Sequence, residues 1–286
     1  MNWKELYNEA AHRLSEAGIE ESKSEADIIF EYCFKVNKLD IILRGQEKPP
    51  ESSKSKLDKI IAERKKGVPI QYILGEWNFR NLRFKVGEGV LIPRDDTNIL
   101  VDVAIEFLNS KKSPCVIDLC SGSGCVAISL EKELRLKNPE VFGVELSEKA
   151  FEYFKTNAEI NRSNVRSING DILKIYSKFC DDKFDAIVSN PPYIRTDEMS
   201  QLQKEVKSEP KMALDGGEDG LYFYKSICQN WTPKLKFGGM IAFEIGLGQE
   251  NEVKKFMQKS GINCIKFHKD INNIVRVVSG IKKSAL

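Results

Sequence analysis

The chain has 286 residues, 41% of them hydrophobic and 30% charged, with a formal net charge of +2. That composition builds a globular core. Charges of both signs are scattered rather than blocked, which argues against broad, unspecific nucleic-acid binding and leaves only a local basic patch open. Met1 to Glu5 open no signal peptide, and no apolar run approaches the roughly 18 residues of a membrane span, so a soluble, cytoplasmic protein is expected.

Trp3, Leu6, Tyr7, Ala10, Ala11 and Leu14 recur at helical spacing and stop before Gly18, which predicts a first helix. Ser22 with Glu25 reads as a capping box ahead of a second helix lined by Ala26, Ile29, Phe30, Cys33 and Phe34. Asp40 to Arg44 suits a short helical turn before Pro49-Pro50. A further helix carrying Leu57, Ile60, Ile61 and Arg64 closes at Gly67 and Pro69. Residues 1–75 therefore read as a helical bundle without an acid–base cluster, either a stabilising appendage or a substrate-docking domain. From Glu76 the period changes to two: Trp77 and Phe79, then Phe84 and Val86, flank a turn, and residues 76–92 read as a hairpin linker between domains.

The second domain, residues 93–286, opens with Asp95-Asp96 as the cap of a helix whose apolar face is Ile99, Leu100, Val103, Ala104 and Phe107. A βα alternation follows. Strands are predicted at Cys115 to Leu119, Val141 to Glu145, near Val165 to Ile168, and over Phe184 to Val188. After a long polar loop, Arg195 to Gly220, come a helix over Tyr222 to Trp231, a strand at Met240 to Ile245 and a helix at Glu250 to Lys259. The last two strands, Cys264 to Phe267 and Val275 to Val278, are joined too briefly for a crossover helix and should be antiparallel. The expected fold class is α/β, a Rossmann-like and mostly parallel seven-stranded sheet behind a helical N-terminal domain.

Cys120-Ser121-Gly122-Ser123-Gly124 forms the turn after the first of these strands, and its glycines allow close approach of backbone to a ligand. Glu145 lies about twenty residues on, where an acid can hold ribose hydroxyls. The pattern alone permits NAD, FAD or S-adenosylmethionine. Asp118 favours the last, because a carboxylate before the turn suits a ligand bearing an ammonium and a sulfonium better than an anionic pyrophosphate. Asp171 can reach the adenine amino group and Ile172 can cover the ring, although a solvated turn is as good a reading of Asp171. The seven cysteines show no CxxC spacing and read as reduced thiols. His12 and His268 are the only histidines, too few for a histidine-based metal or nucleophile site, and no metal is expected.

Ser189-Asn190-Pro191-Pro192-Tyr193 ends a buried strand, the place where chemistry sits in open α/β sheets. Two consecutive prolines hold the backbone extended and offer carbonyl oxygens without N–H donors. Asn190 adds a side-chain acceptor and Tyr193 a flat face, so a planar –NH2 group fits between them with its lone pair free to meet an electrophile.

These residues resemble the HemK/PrmC-type methyltransferases, which methylate the glutamine of the Gly-Gly-Gln motif of peptide chain release factors. The likeness runs through Gly67 to Gly75, Leu91-Ile92-Pro93-Arg94 with Asp96-Thr97, Asp118 to Gly124, Glu145 and Asn190 to Tyr193. It continues through Glu209-Pro210 with Ala213-Leu214, Gly217 to Leu221, and Glu244-Ile245-Gly246. The resemblance implies S-adenosylmethionine as cofactor, S-adenosylhomocysteine as product and release factors as partners. It assigns Cys120 to Gly124, Glu145, Ile172 and Asn190 to the cofactor, and Asn190, Pro191, Pro192 and Tyr193 to the glutamine. Cys120 stands where the family usually has glycine, Asp95 where it often has proline, Asn98 where it often has glutamate, and Ile172 where tryptophan is usual. Asn190 and the Pro191 carbonyl would orient the amide and Tyr193 would pack on its plane, with no strong base needed. The rivals are an adenine-amino methyltransferase acting on DNA or RNA, an NAD-dependent dehydrogenase and a non-catalytic nucleoside-binding module. The first is disfavoured by the acids Glu205, Glu209, Asp215, Glu218 and Asp219 after Tyr193. Neither membrane nor direct nucleic-acid partners are expected.

Overall fold

A computed structural model describes residues 1–51 and 54–283. The chain divides into two compact units, one of Met1–Gly75 with Gln203–Ser208, the other of Glu76–Leu202 with Glu209–Leu286.

The first unit is helical: α1 (Trp3–Glu16), α2 (Ser22–Phe34), α3 (Lys38–Leu43), α4 (Lys54–Lys65) and α5 (Ile70–Leu74). The short α5 lies beyond Pro69, where the sequence pattern had ended the helical run. Trp3, Leu14, Ile29, Phe30, Leu57 and Ile61 fill the core. Capping boxes are on α1, where Asn2 and Glu5 exchange backbone-to-side-chain hydrogen bonds of 2.9 Å, and on α3, where Asn37 and Asp40 do so at 3.0 Å. The one expected at Ser22 and Glu25 is absent: Glu21 is the N-cap of α2, with no side-chain cap. The Glu25 carboxylate is drawn instead to Arg64 on α4, whose guanidinium donates to it at 2.7 and 2.9 Å. Arg64 is 3% exposed and also donates to Glu205, at 3.2 Å. Two acceptors offset much of the cost of burying that charge. Glu205 lies on α10 (Lys204–Lys207), so this piece of the expected second domain folds with the first unit.

In the second unit β1 (Glu76–Phe79) and β2 (Leu82–Lys85) pair antiparallel. This hairpin belongs to the second unit rather than linking two, because Phe79 and Phe84 are buried in that unit's core. Asn157, fully buried on α8 (Glu148–Ile160), accepts from the Lys85 N–H at 2.6 Å and donates to its carbonyl at 3.1 Å. Among the described residues the main sheet has seven strands: β3 (Cys115–Leu119), β4 (Glu140–Glu145), β5 (Arg166–Asn169), β6 (Phe184–Ser189), β7 (Leu235–Glu244), β8 (Ile262–Lys269) and β9 (Val275–Lys282). Their order is β5-β4-β3-β6-β7-β9-β8; β3 to β7 run parallel, and β9 enters antiparallel between β7 and β8. Strand alternation splits the core. Val116, Val188 and Ala242 pack with α6 (Thr97–Leu108), α7 (Cys125–Glu133) and α8 on one face. Ile117, Ile187 and Ile241 pack with α9 (Ile172–Ile175), α11 (Tyr222–Trp231) and α12 (Glu250–Lys259) on the other.

Asp96 does occupy the N-cap position of α6, but its side chain caps nothing and pairs with Arg276 of β9 at 3.3 Å. The order reverses between β3 and β6, and the crevice at such a switch point is where α/β sheets bind ligands. No helix among the described residues is long and apolar enough to cross a membrane.

Candidate active site

At the carboxyl ends of β3, β4 and β6 opens a cleft of about 540 Å3, lined by Cys120, Gly122, Glu145, Asp171, Ile172 and Asn190 among others. Beside it, sharing Cys120, Gly122 and Asn190, a space of about 30 Å3 reaches down to Asp118, Ser121 and Ser123. The sheet thus gathers residues spread over more than seventy positions into one site.

The turn after β3 is held by its own polar groups. Ser121 donates its N–H to the Val144 carbonyl at 2.9 Å and its hydroxyl to the Asp118 carbonyl at 3.0 Å. Cys120 has φ +63°, a left-handed conformation that costs a residue with a Cβ about 1–2 kcal/mol and explains why glycine is usual there. Gly122 and Gly124 are also left-handed, for different reasons. A Cβ on Gly122 would meet open space, so its backbone is bare for a ligand; one on Gly124 would lie 2.2 Å from the Phe154 ring, so that glycine serves helix packing and lines neither cavity. The Cys120 thiol is pushed well up by burial and by the carboxylates of Glu145, Asp118 and Asp171, and stays protonated rather than nucleophilic.

Asp118 is 1% exposed and its Oδ2 has no hydrogen-bond partner. Burial pushes its carboxyl up to about 8, against hydrogen bonds from Ser121 and the Ala127 N–H that favour the anion, and Glu145 raises it further. An orphaned acidic oxygen beneath a cleft fits a cationic ligand group. Glu145 is also raised, by burial, while its carboxylate accepts from Gly122 N–H at 2.7 Å and Ser147 N–H at 2.8 Å, which orients it in the cleft wall. Asp171 caps α9 by accepting the Leu173 N–H at 2.9 Å, and Trp231 fixes Ile172 by donating to its carbonyl at 2.9 Å. Both still line the cleft. This donor set fits S-adenosylmethionine: acids for ammonium and ribose, a bare glycine edge, and an apolar side chain for the base.

The acceptor turn divides. Asn190 lines both cavities and Pro192 lines the cleft, whereas Pro191 and Tyr193 line neither. Tyr193 is partly buried and packs against the core of this face of the sheet. Its carbonyl is held by Gln249 at 3.0 Å, and burial pushes its hydroxyl up to about 12, with Glu244 adding to the rise. Asn190 donates its Nδ2 to the Thr97 hydroxyl at 3.3 Å, which leaves Oδ1 as the acceptor available to the cleft.

Residues 5–75 match the PrmC N-terminal domain family and residues 95–218 the Methyltransferase small domain family. A release factor glutamine methyltransferase of Thermodesulfovibrio yellowstonii is 40% identical over 92% of this chain and 93% of its own. One from Clostridium acetobutylicum is 37% identical over 99% of both. The chain belongs to the release factor glutamine methyltransferase family. Two solved structures share the fold of its sheet domain. They are the hMettl16 catalytic domain with the MAT2A 3′UTR hairpin (TM-score 0.57, 14% identity, 72% of this chain and 77% of that one) and the T. thermophilus 16S rRNA N2 methyltransferase RsmC with AdoMet and guanosine (TM-score 0.51, 16% identity, 73% and 50%).

Within this family member, three residues that the sequence analysis did not assign to the site contribute to it, although Glu209 and Glu244 lie in stretches that carry the resemblance. Glu209, 5% exposed, accepts from Ile92 N–H at 3.0 Å and closely from Arg94, tying residues 210–213, which line the cleft, to the stretch before α6. Asn157 donates to the Ser123 carbonyl at 3.0 Å and so braces the cofactor turn as well as the hairpin. Glu244 lies buried behind Asn190. Their partners are distant in sequence, so only folding pairs them. The acidity expected after Tyr193 is also smaller than counted. Glu209 is buried on Arg94, Glu205 is on Arg64 in the first unit, and Asp215 accepts from Thr196 and Gly217, which leaves Glu218 and Asp219 exposed.

Proposed function

We propose that this protein transfers the methyl group of S-adenosylmethionine to the side-chain nitrogen of the glutamine in the Gly-Gly-Gln motif of peptide chain release factors, in the cytoplasm. The observation that carries the reading is that Asn190 lines both cavities, in a chain whose relatives bear that name over nearly their full length. The bound cofactor supplies an electrophilic methyl. The chain's own residues bind and orient. Asp118 faces the cationic end of the cofactor, Glu145 the ribose, and Asp171 with Ile172 the base, beside the Cys120 to Gly124 turn. Asn190 with Pro192 grips the hydrogens of the substrate –NH2, so that its lone pair faces the methyl. The proton leaves to these acceptors or to water as the new bond forms. Pro191 shapes the turn by holding its backbone extended, and Tyr193 supports it from behind.

The first unit is proposed to dock the release factor. Among the described residues none of this unit lines the cofactor cleft, while α3 exposes Leu39, Ile42 and Leu43 at 62%, 69% and 74%. One glutamine offers few contacts, so discrimination needs surface elsewhere on the partner. The test is a mass spectrum of a release factor incubated with the protein and S-adenosylmethionine. One added methyl on the Gly-Gly-Gln glutamine is expected, and turnover should fall about 10²–10³-fold in Asn190→Ala, the size seen when one preorganised polar group is lost. An unmodified glutamine, or parent turnover by Asn190→Ala, refutes the reading.

A further inference from the structure

The acceptor turn can be held only at its ends. Pro191 and Pro192 carry no N–H and their rings fix φ, so Asn190 to Tyr193 is a short, stiff piece of chain. At its start Ser189 belongs to β6, in register with Leu119 of β3 and Phe243 of β7. At its far end the Tyr193 carbonyl accepts from Gln249 Nε2 at 3.0 Å, and Ile194 then donates to the Leu214 carbonyl at 2.9 Å and accepts from the Gly216 N–H at 2.7 Å. Gln249 stands at the N-cap position of α12, yet its side chain caps nothing there. It serves the loops around the turn instead. Its Nε2 also donates to the Gly220 carbonyl at 3.3 Å, while its Oε1 accepts from the Gly246 N–H at 2.9 Å and from the Tyr224 hydroxyl at 3.3 Å. The two carbonyls can only accept and the Gly246 N–H can only donate, so the amide has one orientation, with all four of its bonding positions used. The joint is tight. A Cβ on Gly220 would lie 2.4 Å from the Tyr193 oxygen and 2.8 Å from Gln249 Nε2, and one on Gly246 would lie 2.9 Å from Oε1. Gln249 itself lines neither cavity.

We propose that Gln249 is a positioning residue for methyl transfer: its two donated hydrogen bonds clamp the Tyr193 end of the acceptor turn to the loop before α11, which sets where Asn190 and Pro192 present their oxygens to the substrate nitrogen. This rests on the reading of Asn190 given above. In-line transfer is sensitive to that placement, since a displacement of about 1 Å costs on the order of a hundredfold in rate. The residues proposed to hold the cofactor follow β3, β4 and β5, and among the described residues none of them hydrogen-bonds Gln249, so the clamp acts on the nucleophile and not on the cofactor. Gln249→Glu keeps the shape of the side chain and removes its donors. The carboxylate can still accept from Gly246 and Tyr224, but it sets an anionic oxygen against the Tyr193 and Gly220 carbonyls. Those neighbours and partial burial raise the new carboxyl above the ordinary value of about 4.3, and its protonated form regains one O–H to donate to Tyr193. The lost function therefore returns as pH falls.

The experiment measures kcat and cofactor KM on intact release factor between about pH 5.5 and 8 for the native protein, Gln249→Glu and Gly220→Ala, with kcat read as a ratio to native at the same pH so that shared titrations cancel. At the upper end kcat of Gln249→Glu should fall about 10–10²-fold, with the cofactor KM within about twofold of native. Towards the lower end the ratio should recover at least about fivefold, as the proton restores the bond to Tyr193. Gly220→Ala drives a methyl group into the same joint from the other side. It should lose a similar factor in kcat, with no recovery in acid. A purely structural role would lower cofactor affinity as well and would give no acid rescue confined to Gln249→Glu. Native kcat in Gln249→Glu, a loss carried by the cofactor KM, or a ratio for Gln249→Glu that is the same at every pH overturns the proposal. If circular dichroism shows Gln249→Glu unfolded, Gly220→Ala decides alone, and native kcat in it overturns the proposal. If Asn190→Ala is inactive while both variants behave as native, only this proposal falls; if Asn190→Ala is fully active, the reading beneath it falls first.

Discussion

Taking the pH from 8 to 6 should weaken S-adenosylmethionine binding about fiftyfold, about a hundredfold relative to the high-pH plateau, and Asp118→Asn should remove that dependence. Asp118 sits at the floor of the smaller cavity with one oxygen unpartnered, and burial pushes its carboxyl up to about 8. Below that pH the free protein holds a proton there. A ligand bearing an ammonium and a sulfonium binds best opposite the anion, so the proton must leave when the ligand enters. Each pH unit below 8 adds about 1.4 kcal/mol to that step, hence about 2.7 kcal/mol at pH 6. The sign follows: the group is raised in the free protein and drawn down in the complex, so affinity climbs with pH and levels off above 8. Glu145 is raised too, but it faces neutral hydroxyls in the proposed complex and contributes little to this linkage. Asp118→Asn should lose about 1.5–3 kcal/mol at pH 8, the worth of a hydrogen bond to a charged group, and bind about as well as the native protein at pH 6. Titration calorimetry at pH 6, 7 and 8, in two buffers of different ionisation enthalpy, gives both the affinity and the protons released. A native affinity unchanged across that range, or a slope that persists in Asp118→Asn, refutes the reasoning.

Glu209→Ala leaves the buried Ile92 N–H without its acceptor and frees Arg94, so about 1–3 kcal/mol of stability should go, with weaker cofactor binding as residues 210–213 loosen; urea unfolding and calorimetry check both. Gly124→Ala meets a left-handed φ of +82° and the Phe154 ring 2.2 Å away, and should cost roughly 2–4 kcal/mol in urea unfolding; a loss below 1 kcal/mol would mean that Phe154 moves aside freely. Ile42→Glu on the exposed side of α3 should raise KM for intact release factor several-fold and leave a short Gly-Gly-Gln peptide unaffected; equal effects on both substrates would remove α3 from docking.

Residues 115–119, 184–188 and 240–245 were legible as strands because each is an apolar run that must be buried, and α1 and α12 because their apolar residues keep helical spacing. The Gly122 turn, Glu145 and Asn190 were legible as a site for the same local reason: chemistry at the end of a buried strand follows from where the strand stops. Capping was misjudged where a stronger partner lay far along the chain, as with Glu25 on Arg64 and Asp96 on Arg276. The hairpin looked like a linker because nothing in residues 76–92 reveals Asn157, whose amide binds Lys85 from a helix about seventy residues away. Which residues of the acceptor turn line the cleft, Asn190 and Pro192, is decided by the packed fold rather than by the local stretch. Strand order put Asp118, Glu145 and Asn190 at the carboxyl ends of three adjacent strands, and burial then pushed Asp118 and Glu244 up. Desolvation belongs to the assembled core; a local stretch of sequence carries no measure of it.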